Sequence, residues 1–455
     1  MRHVIRDPYR RETVAIAPES SEGEVAAAVT AACAARETMA ATPGYERARI
    51  LRKAASLIGE RADDIAIVMA REIGKAIRDA RAEVARSQDT VALAAEEAIR
   101  ITGEHVPLDG SPMGAGKLCV LLRFPVGVVA GITPFNAPFN LACHKIAPAI
   151  AAGDCIVIKP PPQAPLVVHR LVEIFVEAGI PHGALNSVYG HAAGPALVAD
   201  PRVDFISFTG SSAAGARIKA ASGLRRVALE LGGTGSTIVE PDADIAAASG
   251  LCAQNSMRLA GQSCISVQNV YVHGSIHAEF IDRLRKRVGA LRVGDPLDAA
   301  TEVGTVVDEA AAQRVERSIR EAVDAGASLV AGGGRSGSIV EPTILADVRP
   351  EMEIAQNEIF GPVVNVLRYD DLDGAIAGIN SSIYGLQCGV FTQKIETALK
   401  VFRSVRCGGV VINGTSTWRT DQLAYGGVKA SGIGREGPHY AIRDMTEERF
   451  VLFNQ

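Results

Sequence analysis

The chain has 455 residues, of which 47% are hydrophobic and 22% charged, with a formal net charge of −4 at pH 7. This profile predicts a globular enzyme of roughly two or three domains and argues against a disordered chain. Charges of one sign form no long run, so nucleic acid is not an expected partner. No segment reaches the ~18 continuous apolar residues of a membrane span, and the first residues lack the apolar core of a signal peptide. We therefore expect a cytoplasmic protein without a membrane partner.

The eight cysteines are scattered along the chain and form no Cys-x-x-Cys pair. No cluster of histidines accompanies them. This distribution argues against a zinc site and against a disulfide scaffold. We expect no bound metal and a reducing compartment.

Helical periodicity dominates residues 21–100, and residues 101–126 form a Gly- and Pro-rich loop with an apolar strand at 117–124. Strands and helices then alternate. The strand candidates in this part are 127–132, 155–159, 185–189 and 203–208, and the helical candidates are 140–151, 166–178 and 194–199. Such alternation predicts an α/β fold with a parallel sheet covered on both faces, which binds ligands at the carboxyl ends of its strands.

A second α/β unit follows residue 233. Its helical candidates are 245–258, 276–288 and 309–325, and its strand candidates are 267–272, 363–368, 389–391 and 409–413. Residues 447–453 form a final strand-like segment. We find no internal repeat.

Two strand ends of the first unit carry ligand-binding signals. Lys159 follows an apolar strand and places a cation where a phosphate or ribose can bind. Residues 209–215 form a glycine-containing turn before a helix, whose free N–H groups can bind a phosphate. The alternative for the second signal is an ordinary Ser-capped helix.

Cys264 and Glu230 are the candidates for chemistry. Cys264 follows Gly261, where a helical run breaks, and a loop position lets a thiolate face a substrate. An isolated cysteine is more often a small buried hydrophobe. Glu230 lies in the apolar run 227–231, where low polarity raises a carboxyl pKa and suits a general base. A salt-bridged structural glutamate is the alternative.

Five motifs, in order, resemble those of the aldehyde dehydrogenase superfamily, and the likeness extends over essentially the whole chain. They are Thr-Pro-Phe-Asn at 133–136, Leu-Glu-Leu-Gly-Gly at 229–233, Gly-Gln-Ser-Cys at 261–264, Glu-Ile-Phe-Gly-Pro at 358–362 and the signature at 425–436. The spacing between Glu230 and Cys264 also matches the family.

This resemblance implies the aldehyde dehydrogenase fold. Residues 1–105 and 126–231 would form a Rossmann-like dinucleotide-binding domain, and residues 232–439 an α/β catalytic domain. Residues 106–125 and 440–455 would form a small bridging β-sheet that joins subunits into a homodimer or homotetramer. The first residues lack the family's usual leading segment, so the start site is open to reassignment.

The resemblance also implies roles for individual residues. Cys264 would attack the aldehyde, the Asn136 amide and the Cys264 N–H would hold the oxyanion, and Glu230 would activate the water that hydrolyses the thioester. Lys145 matches a family lysine near the catalytic chamber. The residues implied to bind NAD or NADP are Thr133, Pro134, Phe135, Lys159, Gly210, Ser211, Leu231, Glu358 and Phe360.

Pro162 departs from the family pattern, which has a glutamate that holds the adenosine ribose. A carboxylate there would repel a 2′-phosphate, so its absence removes a discrimination against NADP. The Lys-Pro-Pro-x-Gln segment is also similar to that of NADP-using, non-phosphorylating glyceraldehyde-3-phosphate dehydrogenases. We expect NADP to be accepted.

Two arginines indicate the substrate class. Arg258 resembles the substrate-binding arginine of succinate-semialdehyde dehydrogenases, and Arg419 a loop arginine of the lactaldehyde and phosphonoacetaldehyde branch. Two guanidinium groups near one mouth favour a small anionic or hydroxylated aldehyde, of the lactaldehyde, succinate-semialdehyde, glyceraldehyde-3-phosphate or phosphonoacetaldehyde type. The alternative is that either arginine belongs to a solvated or structural ion pair.

Two other functions remain open. A coenzyme-A-acylating semialdehyde dehydrogenase releases its acyl group to a thiol, so the water-activating Glu230 argues against it. A catalytically silent structural relative is the second alternative, and intact Asn136, Glu230 and Cys264 argue against that.

Overall fold

Strands and helices alternate along most of the chain in the computed structural model, which describes residues 2–454. The strands are β1 (Arg2–Arg6), β2 (Thr13–Pro18), β3 (Glu104–Val106), β4 (Leu118–Pro125), β5 (Val128–Ile132), β6 (Cys155–Lys159), β7 (Leu185–Ser187), β8 (Phe205–Thr209), β9 (Arg226–Glu230), β10 (Ser236–Val239), β11 (Asn269–His273), β12 (Ser328–Ala331), β13 (Arg335–Ser336), β14 (Ile339–Val340), β15 (Thr343–Ala346), β16 (Val363–Tyr369), β17 (Gln387–Phe391), β18 (Gly409–Ile412), β19 (Gly432–Ile433) and β20 (Thr446–Phe453).

The helices surround these strands. They are α1 (Glu22–Ala41), α2 (Gly44–Glu60), α3 (Ala62–Ile73), α4 (Ile77–Ala98), α5 (Pro138–Ala152), α6 (Pro165–Ala178), α7 (Ala193–Ala199), α8 (Ser212–Ala221), α9 (Ile245–Met257), α10 (His277–Gly289), α11 (Glu309–Asp324), α12 (Glu353–Gln356), α13 (Leu372–Ser381), α14 (Ile395–Ser404) and α15 (Pro438–Asp444). Within residues 2–454, no helix combines the length and apolar character that crossing a bilayer requires.

The first large sheet has the strand order β19-β9-β8-β5-β6-β7. Strands β5 to β9 run parallel, and β19 joins the β9 edge antiparallel. Every residue of β5, β6 and β8 is buried, as expected for a parallel sheet with helices on both faces. The carboxyl ends of these strands therefore bring Thr133, Lys159, Gly210 and Glu230 to one edge.

The second large sheet has the order β12-β15-β16-β11-β10-β17-β18. It is parallel except for β12, which pairs antiparallel with β15. Its buried side chains form a hydrophobic core separate from that of the first sheet. Helix α9 ends at Met257, and the chain reaches β11 only at Asn269. Cys264 lies in this connection.

The third sheet is antiparallel, in the order β20-β4-β3, and it projects apolar side chains into solvent. In β20, Phe450 is 70% exposed and Phe453 is 50% exposed. Strands of this kind at a sheet edge are sites for pairing with another chain. A separate hairpin of β1 and β2 begins the described chain.

The predicted α/β fold is confirmed, and most predicted elements differ from the observed ones by one to three residues at their ends. Strands β10, β12 and β15, of four residues each, were not predicted, and neither were helices α12 to α15. The predicted division into three domains stays a prediction, although segments 106–125 and 440–455 do contribute β4 and β20 to one sheet.

Candidate active site

A cavity of about 420 Å³ opens at the carboxyl edge of the first sheet and brings together most of the predicted site residues. Those on its wall are Thr133, Pro134, Phe135, Asn136, Lys159, Gly210, Ser211, Glu230, Leu231, Cys264, Glu358, Phe360 and Arg419. Two predicted residues lie outside this wall. Lys145 lies behind Glu230, and Arg258 lines a neighbouring cavity.

A strained turn leads into Cys264. Leu259, Ala260 and Gly261 have φ values of 57°, 51° and 70°, which places three consecutive residues in the left-handed region. Non-glycine residues adopt this conformation only where the surrounding structure imposes it, and such positions cluster at active sites. At Gly261 a Cβ atom would lie 1.9 Å from the Gly361 carbonyl oxygen, so a side chain is excluded there.

The side chain of Gln262 fastens this turn to a distant segment. Its amide nitrogen donates to the carbonyl oxygens of Leu259 and Thr305 at 3.2 and 3.4 Å, and its amide oxygen accepts the Val307 N–H at 2.9 Å. Because Gln262 is buried, these bonds are shielded from water. The turn is thereby fixed two residues before the thiol.

The Cys264 thiol lies 3.4 Å from the Tyr425 hydroxyl oxygen. Burial raises the pKa of this thiol to about 11, and the hydrogen bond from Tyr425 acts in the opposite direction. The thiol is therefore protonated at neutral pH in this state of the site. Attack on a carbonyl requires a base to remove its proton, and the Glu230 carboxyl group lines the same cavity.

Asn136 lies between β5 and α5, and a buried ion pair anchors the helix that follows it. One carboxylate oxygen of Glu83 accepts the N–H groups of Phe139 and Asn140, both at 3.0 Å, in the first turn of α5. The other oxygen pairs with Lys75. A carboxylate at a helix N-terminus is favourably placed, so Glu83 holds the segment that carries the Asn136 amide.

Glu230 ends β9 as a buried carboxyl group, and its Oε2 atom has no hydrogen-bond partner among the described residues. Burial, followed by the neighbouring Glu436 carboxylate, raises the pKa of Glu230 well above its usual range. A carboxyl group with an unpartnered oxygen and a raised pKa suits a general base.

A network of buried charges lies behind Glu230. Glu436 accepts a hydrogen bond from Arg419 at 2.7 Å, and the Lys145 ammonium lies 3.9 Å from it. Burial opposes ionisation of Glu436, but His144, Arg419 and Lys145 outweigh it and hold its pKa below the usual range. Lys145 also donates to the Thr209 hydroxyl at 2.8 Å, so its role is with the network behind Glu230.

The cofactor side of the cavity combines a cation, a helix N-terminus and a second carboxylate. Lys159 is buried and forms no ion pair with an acid among residues 2–454, and burial lowers its pKa to about 8. Ser211 caps α8 by accepting the Ala214 N–H at 3.3 Å, so the simple capping interpretation holds, and this N-terminus faces the cavity. Glu358 accepts the Gly233 N–H at 3.1 Å, and burial raises its pKa to about 7.

Two aromatic rings complete that side. Phe135 and Phe360 pack edge to face, with their centroids 5.7 Å apart. Phe360 has a φ of 53°, so this residue of the cavity wall also lies in the left-handed region, as Leu259 and Ala260 do. A cation, helix N-terminal N–H groups, a carboxyl group and flat apolar surface fit a dinucleotide.

The predicted substrate arginines differ in their surroundings. The Arg419 side chain is only 7% exposed, pairs with Glu436 and stacks 3.8 Å above the Tyr425 ring. Its Nε atom is a buried donor without a partner among the described residues. Arg258 is 49% exposed and lies 3.2 Å from an Asp79 carboxylate oxygen. Both arginines line one outer cavity of about 840 Å³, together with Trp418.

The sequence motifs assigned no role to Tyr425, Glu436 or His144. Tyr425 and Glu436 are the first and last residues of the C-terminal signature. The motif therefore identified both residues but did not predict their contacts. The ion pair of Glu436 with Arg419 depends on tertiary packing, which a motif does not encode.

Comparisons with known proteins agree with this geometry. The aldehyde dehydrogenase family model matches residues 2–451. The 3-sulfolactaldehyde dehydrogenase of Priestia aryabhattai is 44% identical over 412 residues, which cover 90% of this chain and 86% of that protein.

Two solved structures have the same fold. The glyceraldehyde-3-phosphate dehydrogenase GapN of Methanocaldococcus jannaschii, complexed with NADP, has a TM-score of 0.96 and 37% identity, covering 100% of this chain and 99% of that one. Aldehyde dehydrogenase 21 of Physcomitrella patens, in complex with the reaction product succinate, has a TM-score of 0.96 and 37% identity, covering 100% and 95%. The chain therefore belongs to the aldehyde dehydrogenase family, and it is an NAD- or NADP-dependent aldehyde dehydrogenase.

Proposed function

We propose that the protein oxidises a small anionic or hydroxylated aldehyde to its carboxylate, through a thioester on Cys264. The observation that carries the substrate class is the Arg419 guanidinium. It is buried on the cavity wall beside Cys264 and Asn136, with its Nε donor unpartnered among the described residues. A buried donor of this kind favours an anionic or strongly accepting oxygen in the substrate.

The names of the relatives support the same class. One acts on 3-sulfolactaldehyde, which is sulfonated and hydroxylated, and another was solved with the dicarboxylate succinate. Lactaldehyde and succinate-semialdehyde dehydrogenases are also among the similar proteins, at 36–38% and 36% identity.

In the proposed first step, Glu230 removes the Cys264 proton and the sulfur attacks the aldehyde carbon. The carbonyl electron pair moves to oxygen, which the Asn136 amide and the Cys264 N–H stabilise by about 3 kcal/mol per donor. The carbonyl re-forms as hydride leaves the carbon, which gives the thioester on Cys264, and a bound nicotinamide would accept that hydride. Lys159, the α8 N-terminus at Ser211 and Glu358 would hold that cofactor.

Glu230 then releases the thiol proton to solvent. In the proposed second step, a water attacks the thioester and the Glu230 carboxylate accepts the water proton. The carbon–sulfur bond breaks, and its electron pair stays on Cys264. The unpartnered Oε2 of Glu230 is the atom available for that proton. A base placed for water favours hydrolysis over transfer to coenzyme A.

Replacing Glu230 with Gln tests the hydrolytic step. The amide introduced by Glu230→Gln can accept neither the thiol proton nor the water proton. The first equivalent of NAD(P)H should therefore form more slowly than in the wild type, and hydrolysis should be slower still, which leaves a slow burst of about one equivalent per active site. Steady turnover should then be slowed about 10²-fold. Stopped-flow absorbance measures both phases. Coenzyme A should not increase the rate of NAD(P)H formation by the wild type or by Glu230→Gln. A Cys264→Ala control should lack the burst.

The pH profile gives a second readout of that variant. As the pH falls, Glu230 becomes protonated and can no longer act as a base. Because its pKa is raised, the wild-type turnover rate should start to decline at a pH above the usual range of carboxyl pKa values. The inflection should be absent in Glu230→Gln. An inflection that survives unchanged would contradict the assignment.

We propose that NADP is accepted because Lys159 lines the cavity beside Pro161 and Pro162 and pairs with no carboxylate in the described part of the chain. A lysine free of a carboxylate partner can bind a 2′-phosphate, whereas a glutamate at 162 would repel it.

A carboxylate placed at Pro162 tests this proposal. Pro162→Glu should lower kcat/KM with NADP about tenfold relative to NAD, through like-charge repulsion. Pro162→Ala removes the ring without adding charge and should leave the ratio within about twofold. Steady-state kinetics with both cofactors measure the ratio. A hundredfold preference of the wild type for NAD would refute acceptance of NADP.

We propose that Arg258 contributes to recognition at the outer cavity. Its guanidinium is half exposed, pairs with Asp79 and lines the cavity that Arg419 also borders. An anionic substrate entering there meets two positive groups and one compensating carboxylate.

Arg258→Leu should raise KM about tenfold for succinate semialdehyde and less than twofold for neutral lactaldehyde. Only succinate semialdehyde has a carboxylate, and the substitution removes the cation that would pair with it. Arg78→Leu is the matched control, because Arg78 is a similarly exposed, ion-paired arginine outside the cavity wall. Equal effects of Arg258→Leu on both aldehydes would exclude a role in charge recognition.

We propose that β20 pairs with another subunit to give a homodimer or homotetramer. Its exposed apolar side chains support burial against a second copy. The eight cysteines are free, which supports a reducing, cytoplasmic setting.

Phe450→Glu should shift the protein toward smaller species in sedimentation velocity, because it places a charge in the proposed interface. Val176→Glu is the control, since Val176 is 60% exposed on α6, which packs against β7 at the opposite edge of the first sheet from β9 and β19. A wild type that sediments as a monomer at micromolar concentration would disprove the proposal.

A further inference from the structure

The hydroxyl group of Tyr425 lies within hydrogen-bond distance of the candidate nucleophile. Its oxygen lies 3.4 Å from Cys264 Sγ, and the residue is buried on the wall of the catalytic cavity. Burial raises the pKa of the phenol well above its usual value, so the hydroxyl keeps its proton. It is therefore a permanent donor next to sulfur.

Two contacts fix the Tyr425 ring in this position. Its backbone forms a two-bond bridge with Glu436, with N···O distances of 3.1 and 2.6 Å. The Arg419 guanidinium lies 3.8 Å from the ring centroid and is itself held by Glu436 at 2.7 Å. A cation over the ring face draws electron density from the phenol and strengthens its O–H as a donor.

The charges around Cys264 provide little net stabilisation of a thiolate, so a hydrogen-bond donor at the sulfur would matter. Burial and the carboxyl groups of Glu358 and Glu230 disfavour a negative sulfur, and Arg419 is the positive group that opposes them. Arg419 already balances the Glu436 carboxylate. A direct hydrogen bond to sulfur supplies stabilisation that the neighbouring charges do not.

We propose that Tyr425 is a catalytic residue that donates its hydroxyl hydrogen bond to the Cys264 thiolate, both before attack and when sulfur leaves the thioester. The inference rests on Cys264 as the nucleophile of the proposed function.

The proton balance is simple. The thiol proton passes to the Glu230 carboxylate, the sulfur lone pair forms the bond to carbon, and Tyr425 keeps its own proton throughout. During hydrolysis the carbon–sulfur bond breaks, and its electron pair returns to sulfur.

The hydrogen bond acts selectively on these two states. A thiolate is a strong acceptor, whereas a thiol or a thioester sulfur is a weak one. The Tyr425 bond is therefore strongest when sulfur carries charge, which is the condition for lowering a barrier. Asn136 stabilises oxygen in the same reaction, so the two residues act on different atoms.

Alkylation of Cys264 by iodoacetamide, without aldehyde or cofactor, isolates the sulfur. Tyr425→Phe keeps the ring and its stacking on Arg419 but removes the donor. Loss of a charge-assisted bond should raise the thiol pKa by about one to two pH units, partly offset by the greater nucleophilicity of a more basic thiolate. Alkylation at pH 7 should become about three- to tenfold slower.

Two variants serve as comparisons. Tyr271→Phe removes a buried hydroxyl in β11 of the second large sheet and should leave the alkylation rate unchanged. Asn136→Ala should lower kcat strongly while leaving the alkylation rate within about twofold. An Asn136→Ala effect equal to that of Tyr425→Phe would overturn the separate role of Tyr425.

Alkylation at the wild-type rate in Tyr425→Phe would also overturn the proposal, whatever happened to turnover. Retained cofactor binding and melting temperature establish that the variant is folded. If it is not, site-specific 3-fluorotyrosine at position 425 gives a more acidic donor in an intact ring, and alkylation should then be faster than in the wild type. Because no substrate is present, failure of this test leaves the proposed aldehyde oxidation standing.

Discussion

The active site depends on keeping two neighbouring carboxyl groups, Glu230 and Glu436, in different states within one buried region. Glu436 is compensated by Arg419 and Lys145 and stays ionised, whereas the Oε2 atom of Glu230 has no hydrogen-bond partner among the described residues and the pKa of Glu230 is raised. The pKa values of two neighbouring buried carboxyl groups move apart in this way because ionising both is costly. Glu230 is the less compensated of the two, which fits the general-base role proposed for it.

The segment that carries Tyr425 and Glu436 contacts both large sheets. It supplies β19, where Gly432 pairs with Glu230 at the end of β9 in the first sheet. The Ser431 hydroxyl donates to the Gly232 carbonyl oxygen at 2.6 Å and accepts the Gly385 N–H, just before β17 of the second sheet, at 2.9 Å. Glu230 and the charge network behind it are therefore held by one connection, and a change in this segment would affect both.

The sequence allowed prediction of the residues that motifs and strand ends mark. Asn136, Glu230 and Cys264 were expected in one site, and they line one cavity. Buried β-rich runs such as 155–159 also placed Lys159 at the correct sheet edge, because hydrophobic pattern determines which strands are covered.

What lay beyond prediction was the environment of each charge. Arg419 was expected at a substrate mouth, and its burial against Glu436 and Tyr425 follows from packing between segments that share no local pattern. Lys145 was expected at the chamber, and it points instead to Thr209 and Glu436 behind Glu230. Partners of buried ions are set by tertiary contacts, so a single sequence does not reveal them.

The left-handed turn before Cys264 also bears on when the site forms during folding. Its conformation is unfavourable alone and depends on Gly361 and on the Gln262 bonds to Thr305 and Val307, about 40 to 100 residues later in the chain. A nascent chain that has not yet made those later segments has nothing to impose the turn. The turn before Cys264 therefore forms only once these later segments have folded. In a partly synthesised molecule, Cys264 lacks the position that the turn gives it.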